Sequence, residues 1–147
     1  MALFEKLNED MRSAMKSGDK GRLEILRFLV AGVQSAQKEK SAKSPDMLTD
    51  EEVVAVLQKE AKRRKEAAEL FRQGKRDDLV KKEEAALAVI YEYIPKELSV
   101  EEIGKIVDAL RAQGTNDFNA LMRETMKAVK GRADGKTVGD VIKKKTV

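Results

Sequence analysis

The 147-residue sequence contains neither cysteine nor histidine. Without cysteine there is no disulfide, no thiol nucleophile and no zinc site built from Cys and His ligands. Without histidine there is no imidazole for general acid–base catalysis and no Ser-His-Asp triad. An enzyme built from this chain would have to work with carboxylates, lysine, tyrosine or a bound hard cation.

Aromatic residues and long apolar runs are also scarce. Phe, Tyr and Trp make up 4% of the chain, so aliphatic side chains must fill any core. No apolar run approaches the roughly 20 residues that cross a membrane. The N-terminus carries Glu5, Glu9 and Asp10 and lacks an apolar signal core, which argues against a secretory or transit peptide. These features predict a soluble, cytoplasmic protein without a membrane partner.

Charge, by contrast, is abundant and unevenly placed. Charged residues make up 38% of the chain, and the formal net charge is +4. Most of the basic excess lies at the C-terminal end, where residues 127–147 carry seven basic side chains against two acidic ones. This distribution allows a polyanionic partner without requiring one.

Apolar residues recur every three or four positions along nearly the whole chain, which predicts helices. We predict an all-α protein of about seven helices in two subdomains. Residues 1–95 would form an N-terminal helical subdomain, and residues 96–147 a C-terminal three-helix subdomain. Thr49–Glu52 and Ser99–Glu102 are capping boxes that begin the third and fifth helices. Pro95 is expected to stop the fourth.

The densest group of cations and glycines is Val-Lys-Gly-Arg-Ala-Asp-Gly-Lys at residues 129–136. Gly131 is placed to end the sixth helix, as Gly74 is for the third. Gly135 would permit a tight turn, and Thr137 would cap a short seventh helix. A helix N-terminus offers free N–H groups and a partial positive charge, which suit phosphate. The spacing alone favours a simpler alternative, a helix-loop-helix turn with solvated lysines.

Two basic segments supply the candidate nucleic-acid-binding residues. The C-terminal segment contributes Lys130, Arg132, Lys136, Lys143 and Lys144. The third helix contributes Arg63 and Arg64, from the stretch Lys59–Glu66. For this second segment a solvated, ion-paired helix face is the favoured alternative, since Glu60 and Arg64 have i,i+4 spacing.

The fourth helix carries two acidic residues in its middle and two tyrosines near its end that could have a chemical role. Glu83 and Glu84 are adjacent, so they point in different directions and do not form a carboxylate pair for acid–base chemistry. Tyr91 and Tyr93 could stack on a base. A tyrosine at a helix end more commonly packs there with its hydroxyl hydrogen-bonded, which is the favoured alternative.

The chain resembles the GatB/YqeY family over nearly its whole length. The resemblance includes Leu3–Met15, Arg64–Glu66, Lys82–Glu84 and Tyr93–Pro95, and residues 129–136 are its most specific part. The family comprises small stand-alone proteins and the C-terminal tail of the B subunit of tRNA-dependent amidotransferases. The resemblance implies an all-helical fold in two subdomains, with a C-terminal subdomain similar to a tail that engages tRNA.

Of the multidomain amidotransferase, the chain resembles only this RNA-engaging tail. The chain has no Gly/Ser-rich amidase signature and lacks the large kinase-like part of the B subunit. We therefore predict a non-catalytic module for tRNA or other structured RNA, with no catalytic residues, metal or cofactor. The alternative is a protein-interaction adaptor of an amidotransferase, a synthetase or the ribosome. A less favoured alternative is the activity that the family label implies, a carbon–nitrogen ligase with glutamine as amido-N donor.

Overall fold

A computed structural model describes residues 2–146, and every regular element in this range is an α-helix. The helices are α1 (Ala2–Ser17), α2 (Lys20–Ser41), α3 (Asp50–Gln73), α4 (Asp77–Ile90), α5 (Val100–Ala112), α6 (Phe118–Val129) and α7 (Gly135–Thr146). The predicted all-α class and the seven helices are therefore confirmed. No helix in the described range is long and apolar enough to span a lipid bilayer.

The chain divides into two compact units, Met1–Ile94 and Pro95–Val147. In the first unit α1 packs on α2 and α3 packs on α4, and α2 also contacts both α3 and α4. The core of this unit is aliphatic, and its largest fully buried side chains include Leu7, Leu26, Leu57 and Ile90. Burying each such side chain contributes about 1.5–3 kcal/mol, which compensates for the scarcity of aromatic residues.

The second unit has its own core, formed where α5, α6 and α7 pack on one another. Ile103, Leu121 and Ile142, one from each helix, are fully buried there. The start of α5 is fixed by the predicted capping box. The Ser99 hydroxyl accepts the Glu102 N–H at 3.1 Å, and the Glu102 carboxylate accepts the Ser99 N–H at 3.1 Å. This reciprocal pair satisfies two N–H groups that the helix cannot satisfy itself.

Helix α4 ends at Ile90, before the proline that was predicted to stop it. Beyond Ile90 the chain turns, with the Glu92 N–H donating to the Val89 carbonyl at 3.1 Å and the Tyr93 N–H to the Ile90 carbonyl at 2.9 Å. Such i→i−3 bonds tighten and close a helix. The expected extension to Pro95 was thus wrong, because these backbone bonds already close the helix after Ile90.

The end of α3 also differs from expectation. Gly74 follows the helix in a right-handed conformation, with φ −82°, and Lys75 instead takes the left-handed position, with φ 57°. The Arg76 N–H then donates to the Phe71 carbonyl at 2.8 Å, which closes the helix end. Gly74 was therefore the wrong residue for the left-handed cap, which falls one position later on a lysine.

We predict that Thr125→Val stabilises the second unit. Thr125 is fully buried, and its Oγ1 has no hydrogen-bond partner within the described residues. Leaving a hydroxyl buried without a partner costs about 1–3 kcal/mol, and valine keeps the shape without the polar atom. Denaturant unfolding should therefore show a gain of about 1–2 kcal/mol.

Thr146→Val is the matched control, because the Thr146 hydroxyl donates to the Ile142 carbonyl at 2.9 Å. This control should show no gain in the free energy of unfolding. A loss of stability in Thr125→Val would mean that its hydroxyl has a partner in solution.

Candidate nucleic-acid interface

The motif at residues 129–136 forms the connection between α6 and α7. Helix α6 ends at Val129, and both Lys130 (φ 49°) and Gly131 (φ 80°) then adopt left-handed conformations. The Arg132 N–H donates to the Val129 carbonyl at 2.9 Å. Gly131 ends the sixth helix as predicted. Lys130 adopts the left-handed backbone conformation, which costs a non-glycine residue about 1–2 kcal/mol.

Asp134 caps α7. Its carboxylate accepts the Thr137 N–H at 2.7 Å, and its carbonyl accepts the Val138 N–H at 3.1 Å. The helix already begins at Gly135. The prediction that Thr137 caps α7 was therefore wrong, as was the turning role given to Gly135, because both residues lie in the first helical turn. Aspartate is among the best N-cap residues, and its negative charge is favoured at this end of a helix.

This cap changes how an anion could bind at the turn. The N-terminus of α7 was the predicted position for a phosphate, since its N–H groups point outward and carry partial positive charge. The carboxylate of Asp134 already accepts one of those N–H groups. A phosphate at the same position would meet a like charge at close range.

Arg132 holds the start of the second unit in place. Its Nε donates to the Lys96 carbonyl at 3.0 Å, and its own carbonyl accepts the Leu98 N–H at 2.8 Å. One residue of the motif thus fixes the segment that leads into α5 through both its side chain and its backbone. Arg132 is half-buried, and part of its hydrogen-bonding capacity is committed to the fold.

The remaining candidates of this unit are lysines at the surface. Lys136, Lys143 and Lys144 are exposed, and none of them forms an ion pair with any residue in the range 2–146. Lys145 differs, because its Nζ lies 2.9 Å from the Asp108 carboxylate. Positions 136 and 143 are about two helical turns apart and so share one face of α7. Asp140 lies on this face as well, one turn from each of its basic neighbours.

The two arginines predicted from α3 have different environments. Arg64 Nε lies 2.9 Å from Glu60, its Nη1 lies 3.3 Å from Glu83, and its guanidinium lies 5.0 Å from the centroid of the Phe28 ring. Its side chain is only 19% exposed. Arg63 is 69% exposed and reaches Glu60 at 3.5 Å. Arg64 is therefore ion-paired, as the alternative interpretation of this segment predicted, whereas the side chain of Arg63 lies at the surface.

Tyr93 belongs to a polar cluster that sequence reasoning missed. Its hydroxyl donates to the Asp10 carboxylate at 2.5 Å, and Arg22 makes two hydrogen bonds to Glu92 at 2.7 and 3.1 Å. The ammonium of Lys6 lies 6.0 Å from the centroid of the Tyr93 ring. The packed alternative therefore describes Tyr93 better than base stacking does. One feature of the sequence pointed to this cluster, since Arg22 lies one helical turn before the buried apolar residues of α2.

These observations define an all-helical protein of two units whose C-terminal helix carries exposed lysines beside a glycine turn. The chain belongs to the Yqey-like protein family, whose model matches residues 4–146. It is 33% identical over 136 residues to the protein "Altered inheritance of mitochondria protein 41, mitochondrial" of Pyrenophora tritici-repentis, covering 89% of this chain and 73% of that protein. It is also 31% identical over 93 residues to an uncharacterised protein of Schizosaccharomyces pombe, covering 63% and 72% of the two chains.

We predict that Asp134→Ala destabilises the start of α7 by about 1 kcal/mol, the usual loss for an N-cap side chain. Asp134→Ser should retain most of the stability, because serine supplies another capping oxygen without the charge. Amide hydrogen exchange in the first turn of α7 measures the effect locally. Equal protection in the alanine variant and the unmodified chain would contradict the capping role.

We also predict that Tyr93 contributes to the pH dependence of stability. Burial, and then the hydrogen bond to Asp10, raise the pKa of Tyr93 above the usual tyrosine range. The unfolded chain loses this proton near pH 10, before the folded chain does. The contribution of Tyr93 to stability is therefore complete below about pH 10 and is lost as the pH rises from there toward the folded pKa.

The measurement is the free energy of unfolding of the unmodified chain and of Tyr93→Phe at a series of pH values. The two should differ most at neutral pH and converge at alkaline pH. Tyr91→Phe is the control, since it keeps Tyr93 and should keep the full alkaline decrease. A constant difference between Tyr93→Phe and the unmodified chain would contradict the prediction.

Proposed function

We propose that this chain is a non-catalytic binding module that contacts the phosphates of tRNA or another structured RNA through α7. One observation carries the proposal: Lys136, Lys143 and Lys144 are exposed and form no ion pair within the described range. A lysine that is free of an internal partner can bind a phosphate without breaking an existing contact. Such contacts give affinity but do not distinguish one base from another.

The choice of tRNA rests on the resemblance of residues 96–147 to the tail of the amidotransferase B subunit. The surrounding charge agrees with it, because residues 127–147 hold seven basic side chains and two acidic ones. The net positive field at this end of the chain would attract a polyanion from solution and increase its rate of association.

The proposed surface is narrower than the set of cations that the sequence indicates. Arg132 is a positioning residue, since it holds the segment before α5. Arg64 is held by two carboxylates inside the first unit. Lys130 lies exposed on the turn beside α7, next to the proposed surface. Arg63 is exposed on the first unit, 3.5 Å from Glu60, and is not part of the proposed RNA surface.

The test is binding of a tRNA transcript to the variant Lys136→Glu/Lys143→Glu/Lys144→Glu at several salt concentrations. Each phosphate contact contributes about 0.7–0.9 to the slope of log K against log salt, so the slope should fall by about 2–3. The matched control is Lys16→Glu/Lys38→Glu/Lys81→Glu, which makes the same change in net charge at exposed lysines of the first unit. Equal losses of tRNA affinity in the two variants would show that binding depends only on the total charge of the protein, and would contradict the α7 site.

Asp140→Asn adds a test in the opposite direction. Asp140 is exposed between the basic positions of α7, so removing its charge should raise RNA affinity while preserving the fold. Unchanged affinity would place the phosphates elsewhere. Glutamine-dependent amide formation by the purified chain would contradict the non-catalytic part of the proposal.

We also propose that the protein acts in the cytoplasm, the compartment predicted from the sequence. The name of the Pyrenophora relative refers to mitochondria, so an organellar location is the specific alternative. Cell fractionation of the tagged chain in its native host distinguishes the two.

A further inference from the structure

Helix α2 has an apolar edge beside its core-facing side, where Ile25 and Ala36 are partly buried against the core and Phe28 is exposed. Ile25, Phe28, Gly32 and Ala36 follow helical spacing and line two clefts, one of about 460 Å³ beside α4 and one of about 380 Å³ beside α3. Phe28 lines both clefts and is 47% exposed. The two clefts lie one after the other along α2, on either side of the Phe28 ridge, and together they are called the α2 groove.

The Phe28 ridge is held in position from within the first unit. The guanidinium of Arg64 lies 5.0 Å from the ring centroid and is itself fixed by Glu60 at 2.9 Å and Glu83 at 3.3 Å. An exposed aromatic side chain that is already ordered loses little entropy when a partner covers it. Aromatic side chains, phenylalanine among them, are enriched at protein–protein interfaces relative to the rest of the surface.

Gly32 lies inside α2, where glycine costs about 0.5–1 kcal/mol relative to alanine. The fold does not require this glycine. The nearest heavy atom to a Cβ at this position would be Cγ1 of Val56, at 3.8 Å, which is an ordinary van der Waals distance. The missing side chain instead leaves the groove deeper, so that the backbone of another molecule can approach α2 closely.

The rim charges that form no ion pair within the described residues are separated by side. Lys59 and Lys82 lie on the α3 and α4 side, and Asp19, Glu24 and Glu39 lie on the α2 side. The other charged side chains at the rim are paired, Arg22 with Glu92 and Glu60 with both Arg63 and Arg64. Lys59 and Lys82 are exposed and form no ion pair in the described part of the chain, and Arg63 has only the 3.5 Å contact to Glu60. Nucleic acid would be repelled by the two glutamates, whereas a protein segment with one acidic edge would complement the basic side.

We propose that this groove binds an amphipathic α-helix of a partner protein, with its apolar face on Phe28 and Gly32 and its acidic edge toward Lys59, Arg63 and Lys82. A helix fits because a straight groove beside α2 accepts side chains spaced at i, i+3, i+4 and i+7. The site lies wholly in the first unit and does not depend on the RNA-binding proposal for α7.

The experiment places a photocrosslinking amino acid, p-benzoylphenylalanine, at Ser35, which lines the groove and is exposed. The matched control position is Gln34, which is exposed on α2 and lies outside both clefts. The full-length chain is irradiated in its native host, and the crosslinked peptides are sequenced by mass spectrometry. We expect adducts at position 35, and not at 34, with an acidic, helix-forming segment of a different protein.

Charge reversal identifies the rim contacts. Lys59→Glu/Arg63→Glu/Lys82→Glu should lower the yield of the position-35 adduct roughly tenfold, as expected for three rim-exposed ion pairs. Lys16→Glu/Lys38→Glu/Lys81→Glu carries the same change in net charge and should leave the yield unchanged. Gly32→Leu should also abolish the adduct by filling the groove, while circular dichroism confirms that the chain is folded.

Several outcomes would overturn the proposal. These are adducts with RNA or with a second copy of the chain, equal yields at positions 34 and 35, no adduct at all, or a yield that charge reversal does not change. The α7 variant Lys136→Glu/Lys143→Glu/Lys144→Glu should keep the full yield. Failure of the groove and failure of the RNA surface therefore give different results.

Discussion

The hydrogen bonds of Arg132 and Asp134 fix the turn between α6 and α7, on which the arrangement of the C-terminal unit depends. Arg132 fixes the segment before α5 through the carbonyl of Lys96, and Asp134 occupies the N-terminal end of α7. Two charges of the motif at residues 129–136 are thereby used in folding. What stays available is the exposed lysine face of α7, which lies beside the motif. The motif is thus mainly a structural turn that leads into α7, the helix for which RNA binding is proposed.

In the first unit, too, some charged side chains are paired within the fold and others stay exposed and unpaired. Arg64 is surrounded by Glu60, Glu83 and the Phe28 ring, so a side chain that looks basic in the sequence is neutralised within the fold. Internal pairing of this kind leaves few unpaired cations near the α2 groove, and those lie on one side of it. In a chain where 38% of residues are charged, the functional surfaces are defined by which charges the fold leaves unused.

The sequence predicts best the features that depend on neighbouring residues. The capping box of Ser99 and Glu102 was predicted because its two bonds lie within one turn. The cap of α7 was missed because Asp134 and Thr137 are both acceptable N-caps, and tertiary packing selects between them. The role of Arg132 was missed because its acceptor lies 36 residues away in the chain, where no local pattern connects the two.

In the proposed function the lysines of α7 contact RNA while Arg132 maintains the fold. Side-chain NMR of the chain labelled at lysine and arginine, titrated with a tRNA transcript, distinguishes these two roles. We expect the ammonium signals of Lys136, Lys143 and Lys144 to shift with added RNA and the Arg132 Nε–H signal to keep its position. A shift at Arg132 with unchanged lysine signals would contradict the proposed function.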